Sequence, residues 1–289
     1  MKSLEQIIQP IATELAQFET FFAQTLKADT EPMNSIMQYV LESKGKRLRP
    51  LLVLLSAKLF GEVNEQTLRA ATFVEMLHTA TLIHDDVVDD SDLRRDCASV
   101  KAHFGNLSAV LAGDYLLAKA MLLLTHPDDH DIMQEMLRTT AAMSEGELMQ
   151  SCPCHSEPFE GIDTLTLQVQ YDMPSQGKAN LWATRYLDII TRKTALLMRS
   201  CCVAGAMSVN ASPEQIRQIS DFGLNFGILF QLRDDLNDGE NTKQATTLLP
   251  NYQKKALLSL DGLNPSDILV TLKDLTEYFA FCPTKYPTK

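Results

Sequence analysis

Two carboxylate triplets recur at one spacing: Asp85, Asp86 and Asp89 in Asp85-Asp86-Val87-Val88-Asp89, and Asp234, Asp235 and Asp238 in Asp234-Asp235-Leu236-Asn237-Asp238. Each ends an apolar stretch of helical period. On a helix, residues four apart lie one turn above each other, about 40° apart around the axis. Asp85 and Asp89 therefore share a face, as do Asp234 and Asp238, with Asp86 and Asp235 flanking. Like charges this close repel, and carboxylates beside apolar helices are costly without compensation. A hard cation relieves both costs. Mg²⁺ suits such a site because it takes one or two carboxylates, retains water and completes its shell from substrate phosphates. One triplet alone is as well explained by a solvated helix end. Two, each closing a central apolar helix, argue against that explanation.

The basic residues add to this reading. The chain has a formal net charge of −11, which disfavours nucleic acid or an anionic membrane as the main partner. Within it, Lys44, Lys46, Arg47 and Arg49 crowd into one short segment, and Arg94 and Arg95 follow the first triplet. Either group alone could be a solvated basic turn. Arginine suits bidentate contact with phosphate, and lysine acts as a point charge. Cations beside a carboxylate-bound metal make a diphosphate the natural shared ligand.

Long helices must carry these groups, and helical period dominates the chain. Residues 3–27 place Leu4, Ile7, Ile8, Ile11, Leu15, Phe18 and Phe22 on one stripe, giving one helix. Residues 32–42 read as a short helix. Pro50 opens a strongly apolar one from Leu51 to Phe60, which Gly61 ends. Residues 65–89 are apolar nearly all round and therefore buried. Residues 106–125, 129–150, 178–209 and 213–238 continue the series, the last behind a Ser212 cap with Pro213 at the first helical position. Two more helices fill 250–260 and 265–280. Residues 151–177 break the pattern with Pro153, Pro158, Gly161, Pro174 and Gly177 and read as a loop or insertion. No segment alternates as a strand does. The expected fold is all-α, one domain over 1–289, a bundle of long helices.

The six cysteines do not form a disulfide framework, and Met1 to Glu5 lack a signal-peptide layout, so a cytoplasmic location is expected. No transmembrane segment is expected: the most apolar run, Ala109 to Leu124, is interrupted by Asp114 and Lys119. Cys152, Cys154 and His155 lack a second half for a metal site and read as surface loop. Cys201 and Cys202 read as core.

The motif series resembles the trans-prenyl diphosphate synthases, in order: Gly45-Lys46-Arg47-Leu48-Arg49-Pro50, His78 to Asp89, Asp92-Leu93-Arg94-Arg95, Gly113-Asp114-Tyr115, Glu145-Gly146-Glu147, Lys193-Thr194-Ala195 and Phe230-Gln231-Leu232-Arg233-Asp234-Asp235. The resemblance runs from about residue 35 to 250. It implies an all-α bundle around a deep cavity, a homodimer, and head-to-tail condensation of an allylic diphosphate with isopentenyl diphosphate. It implies Mg²⁺, three ions per active site with Mn²⁺ as a substitute, held by Asp85, Asp86, Asp89, Asp234, Asp235 and Asp238, some through water. Arg94, Lys193 and Gln231 would contact the allylic diphosphate. Lys46, Arg49, His78 and Arg95 would grip isopentenyl diphosphate. Thr194 and Gln231 would present oxygens to the carbocation, and the released diphosphate would take the proton. Glu145 and Glu147 are set aside as salt-bridge partners. Small residues at Ala80 and Thr81, where shorter-chain members often carry an aromatic, leave room past C15. The string His78 to Asp89 is similar to octaprenyl-type synthases.

Three departures from the family pattern stand out. Gly239 to Leu248 replaces a longer loop with several lysines, and only Lys243 remains to stand in on the substrate. Asp96 replaces a glycine after Arg94-Arg95, and the 151–177 segment is long. A terpene cyclase of the same fold is disfavoured by the second intact triplet and by Lys46 and Arg49. A non-catalytic or weakly active subunit of a heteromeric synthase is the other alternative, motivated by the shortened loop.

Overall fold

The computed structural model describes residues 2–43, 45–94, 97–151 and 185–281. Among them the chain is helical almost throughout, in the order α1 (Leu4–Ile8), α2 (Ala12–Thr25), α3 (Glu31–Glu42), α4 (Leu48–Phe60), α5 (Glu65–Val88), α6 (Val100–Phe104), α7 (Asn106–Leu123), α8 (His130–Ser151), α9 (Leu196–Met207), α10 (Pro213–Asp238), α11 (Thr242–Leu258) and α12 (Asp267–Phe281). The all-α expectation holds. Helices α4, α5, α9 and α10 form the centre: α9 packs against α4, α8 and α10, and α5 against α4 and α7.

Local sequence explains where these helices begin. The Asn64 side chain accepts from the Thr67 amide, and Thr67 returns the bond, before α5. Ser212 and Gln215 make the same reciprocal cap before α10, with Pro213 at the first position as expected. The bulk of each interior comes from composition. Residues Ala70 to Leu77 of α5 are buried on every side, which only an all-round small or apolar surface permits. Glycine sets how close the helices lie. A Cβ at Gly205 of α9 would sit 2.1 Å from the Val53 carbonyl of α4, and one at Gly227 of α10 would sit 2.6 Å from Ala195 Cα. Cys201 and Cys202 lie in the core as expected, and burial pushes the Cys202 thiol up to about 12.

Several element boundaries differ from the sequence expectation. The single helix over 3–27 is broken by a 3₁₀ turn at Gln9–Ile11, because Pro10 has no amide to donate within a helix. Helix α4 starts at Leu48, so Pro50 is its third residue, still within the turn whose amides need no helical acceptor. A two-residue hairpin, β1 (Leu93–Arg94) against β2 (Cys97–Ala98), follows the first triplet, with Leu93 opposite Ala98 and Arg94 opposite Cys97. Helix α11 begins at Thr242 and contains Pro250, so most of the stretch read as a link is helix. The interruption at 151–177 lies outside the described residues from 152 onward, as do Cys152, Cys154 and His155, and the 178–209 helix is described from 185. One described helix, α7, is long and apolar enough to cross a membrane by length and composition. Its Ala109, Ala112, Gly113, Leu116 and Ala120 are core residues instead.

Candidate active site

The first triplet sits where α5 ends. Asp85 is half-buried, Asp86 buried and Asp89 exposed just beyond the last helical residue. The Asp89 amide bonds back to the Asp85 carbonyl at 2.8 Å and the Ser91 amide to the Asp86 carbonyl at 2.9 Å. Asp90 then adopts a left-handed φ of 53°, turning the chain off the helix. Lys101 Nζ clamps that turn, reaching Asp90 at 2.6 Å and Asp92 at 3.2 Å. Ser99 Oγ donates to the Ser91 carbonyl at 2.8 Å, and Tyr39 Oη to the Ala98 carbonyl at 2.6 Å. So held, the hairpin turns Arg94 back onto α5. Arg94 Nε donates to Asp86 Oδ1 at 2.9 Å and Nη2 shares the same oxygen.

Asp85 stands in a mixed field. Burial pushes its carboxyl above the ordinary carboxylate value; Glu147 and Asp89 push the same way, and Lys193 and Arg94 oppose them. The half-buried carboxylate is therefore short of positive charge.

The second triplet ends α10. Asp234 is half-buried, Asp235 buried and Asp238 exposed, the same order as in the first. The partners of the buried member are of another kind. Tyr186 Oη donates to Asp235 Oδ2 at 2.5 Å, and Gln231 Nε2 donates to Asp235 Oδ1 at 2.8 Å. Burial first, and then Asp235, push the Tyr186 phenol far above its ordinary value, so it remains a donor. Thr194 Oγ1 donates to Gln231 Oε1 at 2.7 Å, completing a chain Thr194–Gln231–Asp235–Tyr186.

Thr194 and Lys193 lie in a π-helical turn, Thr191–Ala195, that leads into α9. Such widened turns recur at functional sites. Helix α8 crosses this turn at Gly146, where a Cβ would lie 2.7 Å from Arg192 Cβ and 3.0 Å from the Lys193 amide nitrogen. The glutamates on either side of that glycine straddle the crossing: Glu145 pairs with Arg192 at 2.6 Å and Glu147 with Lys193 at 2.8 Å. Gln150 accepts from Lys193 at 3.1 Å. The expectation that both glutamates are salt-bridge partners holds, but Glu147 also reaches the field of Asp85. It belongs to the site, and its place in the Glu-Gly-Glu motif was the available signal. Tyr186 belonged to no motif. It precedes Lys193 by two helical turns, and only the tertiary contact with Asp235 reveals it.

The structure therefore joins Asp85, Glu147, Lys193, Thr194, Gln231 and Asp235 into one neighbourhood. Lys46 and Arg49 lie half-buried around the start of α4, and His78 half-buried two turns before Asp85. Ala80 is fully buried, and Thr81 is partly exposed with its hydroxyl on the His78 carbonyl at 2.9 Å. Lys243 is exposed in the first turn of α11. Arg95 lies outside the described residues. Among those described, no three carboxylate, histidine or cysteine side chains converge closely enough to cage an ion by themselves. The donors presented are hard oxygens, and Asp85 lacks a full counter-charge. That set fits an ion of the Mg²⁺ type, which takes few protein ligands and fills its shell with water and phosphate oxygen.

Known proteins share much of this sequence and this fold. The chain is 29% identical over 236 residues to an octaprenyl diphosphate synthase of Escherichia coli, covering 82% of this chain and 66% of that protein, just under two thirds of its length. It is 34% identical over 248 residues to an all-trans-nonaprenyl-diphosphate synthase of Rhodobacter capsulatus, covering 86% of this chain and 69% of that protein. The fold matches a crystal structure of a polyprenyl synthase from Caulobacter crescentus, solved with calcium and isoprenyl diphosphate, at a TM-score of 0.81 and 23% identity over 98% of both chains. The polyprenyl synthetase family model matches residues 30–247, a span that holds both triplets, the π turn and the basic segment. The chain is thus a member of the polyprenyl synthetase family.

Proposed function

We propose that this protein is a prenyltransferase that condenses an allylic diphosphate with isopentenyl diphosphate, head to tail, into a trans-polyprenyl diphosphate. The observation that carries the reading is the Lys193–Thr194 turn. Lys193 lies in the field of Asp85, while Thr194 is joined through Gln231 to Asp235. One turn thus connects both carboxylate triplets. In each triplet the middle aspartate is buried against internal partners, so Asp85, Asp89, Asp234 and Asp238 would meet metal directly and Asp86 and Asp235 would hold it through water.

Bound Mg²⁺, three ions in this reading with Mn²⁺ able to substitute, would neutralise the leaving diphosphate and make ionisation of the allylic C–O bond accessible. The protein's own groups do the rest. Lys193 and Arg94 place positive charge at the allylic diphosphate. Thr194 Oγ1 and Gln231 Oε1 put oxygen dipoles where allylic positive charge develops. The Gln231 amide is fixed with its oxygen toward Thr194, because its nitrogen donates to Asp235. Lys46, Arg49, His78 and Arg95 hold isopentenyl diphosphate, and Lys243, exposed in the first turn of α11, adds only a solvent-screened cation after the second triplet. The small Ala80 and Thr81 leave the tail free to grow past C15. The long-chain relatives named above support that direction.

The working unit in this reading is a homodimer. Leu107, Val110, Leu111, Met121 and Leu122 lie within one arc of α7 and are exposed, Leu107 by 75% and Leu122 by 68%. A contiguous apolar face of this kind marks an interface. A cytoplasmic location belongs to the same reading. Leu122→Glu would convert the dimer to monomer in sedimentation.

The decisive assay incubates purified protein with Mg²⁺, labelled isopentenyl diphosphate and allylic starters of increasing length, and sizes the products. Folded protein that makes no product from any starter would sink the enzyme reading in favour of a non-catalytic subunit. A product ending at C15 would remove the roles given to Ala80 and Thr81.

A further inference from the structure

Arg47 sits between Lys46 and Arg49, and its side chain is anchored on two other helices, α2 and α5. Its backbone is left-handed, with φ 50° and ψ 31°, at the cap position of α4. That conformation is uncommon for a residue with a side chain and persists only where surroundings enforce it. Here three groups do so. Nη1 donates to Glu75 Oε1 of α5 at 2.6 Å, Nε donates to Glu19 Oε1 of α2 at 3.0 Å, and the guanidinium carbon lies 4.8 Å above the Phe22 ring. The pair with Glu75 is nearly dry: the side chains are 10% and 4% exposed. Burial opposes the guanidinium charge, and Glu75 and Glu19 more than restore it.

Glu75 lies one helical turn before His78, and Arg47 is flanked by Lys46 and Arg49. The pair therefore bridges the two pieces of chain that the preceding section assigns to isopentenyl diphosphate. Burial above all raises the Cys201 thiol of α9, and within that field Arg49 and Glu75 oppose each other. Arg47 further lines a small cavity with Ser43, Thr79, Asp86 and Arg94, which brings it behind the first triplet.

We infer that Arg47 is a positioning residue for the isopentenyl diphosphate subsite: the buried Arg47–Glu75 pair, with Glu19 as a second anchor, sets Lys46 and Arg49 against His78. This rests on the assignment of those three residues to that substrate. A guanidinium is required because two carboxylates on different helices are held by two edges of one planar group. An ammonium of similar charge cannot hold both in fixed directions.

The test is steady-state kinetics with each substrate varied separately. Removing Arg47 alone would strand the buried Glu75, so the main variant replaces both, Arg47→Met with Glu75→Met, which keeps volume and leaves no buried unpaired charge, releasing only the solvent-accessible Glu19 to water. The expected result is a rise of about tenfold or more in KM for isopentenyl diphosphate, with KM for the allylic diphosphate within about twofold of wild type, since displacement of a binding group by about 1 Å can cost that much. Arg47→Lys, which retains charge and is the milder change, should raise the same KM by about threefold to tenfold. It carries the test if the double variant does not fold. Lys46→Ala serves as the reference. If Lys46→Ala raises KM for isopentenyl diphosphate while the Arg47 variants leave it unchanged, or move both KM values together, the positioning role is wrong and the subsite assignment stands. If Lys46→Ala itself leaves that KM unchanged, the assignment fails and the inference falls with it.

Discussion

The two aspartate triplets share spacing, helix position and order of exposure, yet the buried member of each is supported differently. Asp86 is held by an ion, Arg94, which reaches it only because a clamped hairpin doubles back onto α5. Asp235 is held by two neutral donors, Tyr186 and Gln231, one on a neighbouring helix and one a turn earlier on its own. Charge compensation at the first triplet therefore depends on a loop, whereas the second is built within packed helices. The chain around each differs accordingly. A turn, a hairpin and a short helix follow Asp89. After Asp238, only Gly239, Glu240 and Asn241 precede α11.

The largest expected effect tests what the triplets share. Asp85→Asn and Asp234→Asn should each lower turnover by on the order of 10³-fold, because in the proposed reaction each removes charge that would hold the leaving-group metal. Asp85→Asn should also raise the melting temperature of the metal-free protein. The sign follows from its raised carboxyl pKa. Below the ordinary carboxylate value the acid is protonated folded or unfolded, and no penalty exists. The penalty builds as pH rises from the ordinary carboxylate value to the folded value and is complete above it. Melting in chelator from about pH 3.5 to about pH 7 checks this, because the interval starts below the ordinary carboxylate value: wild type should lose stability over it relative to Asp85→Asn. An unchanged difference would show that Asp85 is not under the strain described.

The next effects separate the triplets. Arg94→Gln leaves Asp86 buried without its counter-charge. It should cost about 2 kcal/mol by chemical denaturation, toward the low end for a buried pair because Arg94 keeps 35% of its side chain in water. Adding Asp86→Asn should recover much of that. Tyr186→Phe removes one neutral hydrogen bond and should cost about 1 kcal/mol, while raising the Mg²⁺ concentration needed for half-maximal turnover. If Tyr186→Phe proves as destabilising as Arg94→Gln, the contrast between ionic and neutral support is wrong. The smallest effect is expected at Lys243. It is exposed, and Lys243→Ala should leave turnover within about twofold and stability within about 0.5 kcal/mol. A larger loss of turnover would mean that α11 carries the phosphate contact for which the longer family loop is absent.

Much of this was legible along the chain. Apolar residues at three- and four-residue steps specified α2, because a surface helix must bury a stripe, and apolar residues on every face specified α5 and α10 as central helices. The absence of period-two alternation excluded any sizeable sheet. The boundaries that slipped are those where a single residue competes with its tertiary surroundings. Pro10 breaks what periodicity alone would join, while Pro250 stays inside α11, on its solvent side, where periodicity suggested a start. The hairpin at Leu93–Ala98 is too short to show alternation and exists through contacts from Tyr39, Ser99 and Lys101.

By itself the sequence determined the helical class, the two carboxylate triplets, the basic segments beside them and the sharing of one helix face by Asp85 with Asp89 and by Asp234 with Asp238, since all of these are set by residue type and spacing along the chain. The division of labour within each triplet came only from the tertiary structure. Whether Asp86 or Asp235 faces a cavity or a partner depends on Arg94 and Tyr186, residues brought in by a turn and by a neighbouring helix. The same holds for Glu147 beside Asp85 and for Arg47 spanning Glu19 and Glu75. Such contacts join positions distant in the chain, and no local pattern of residue types records them.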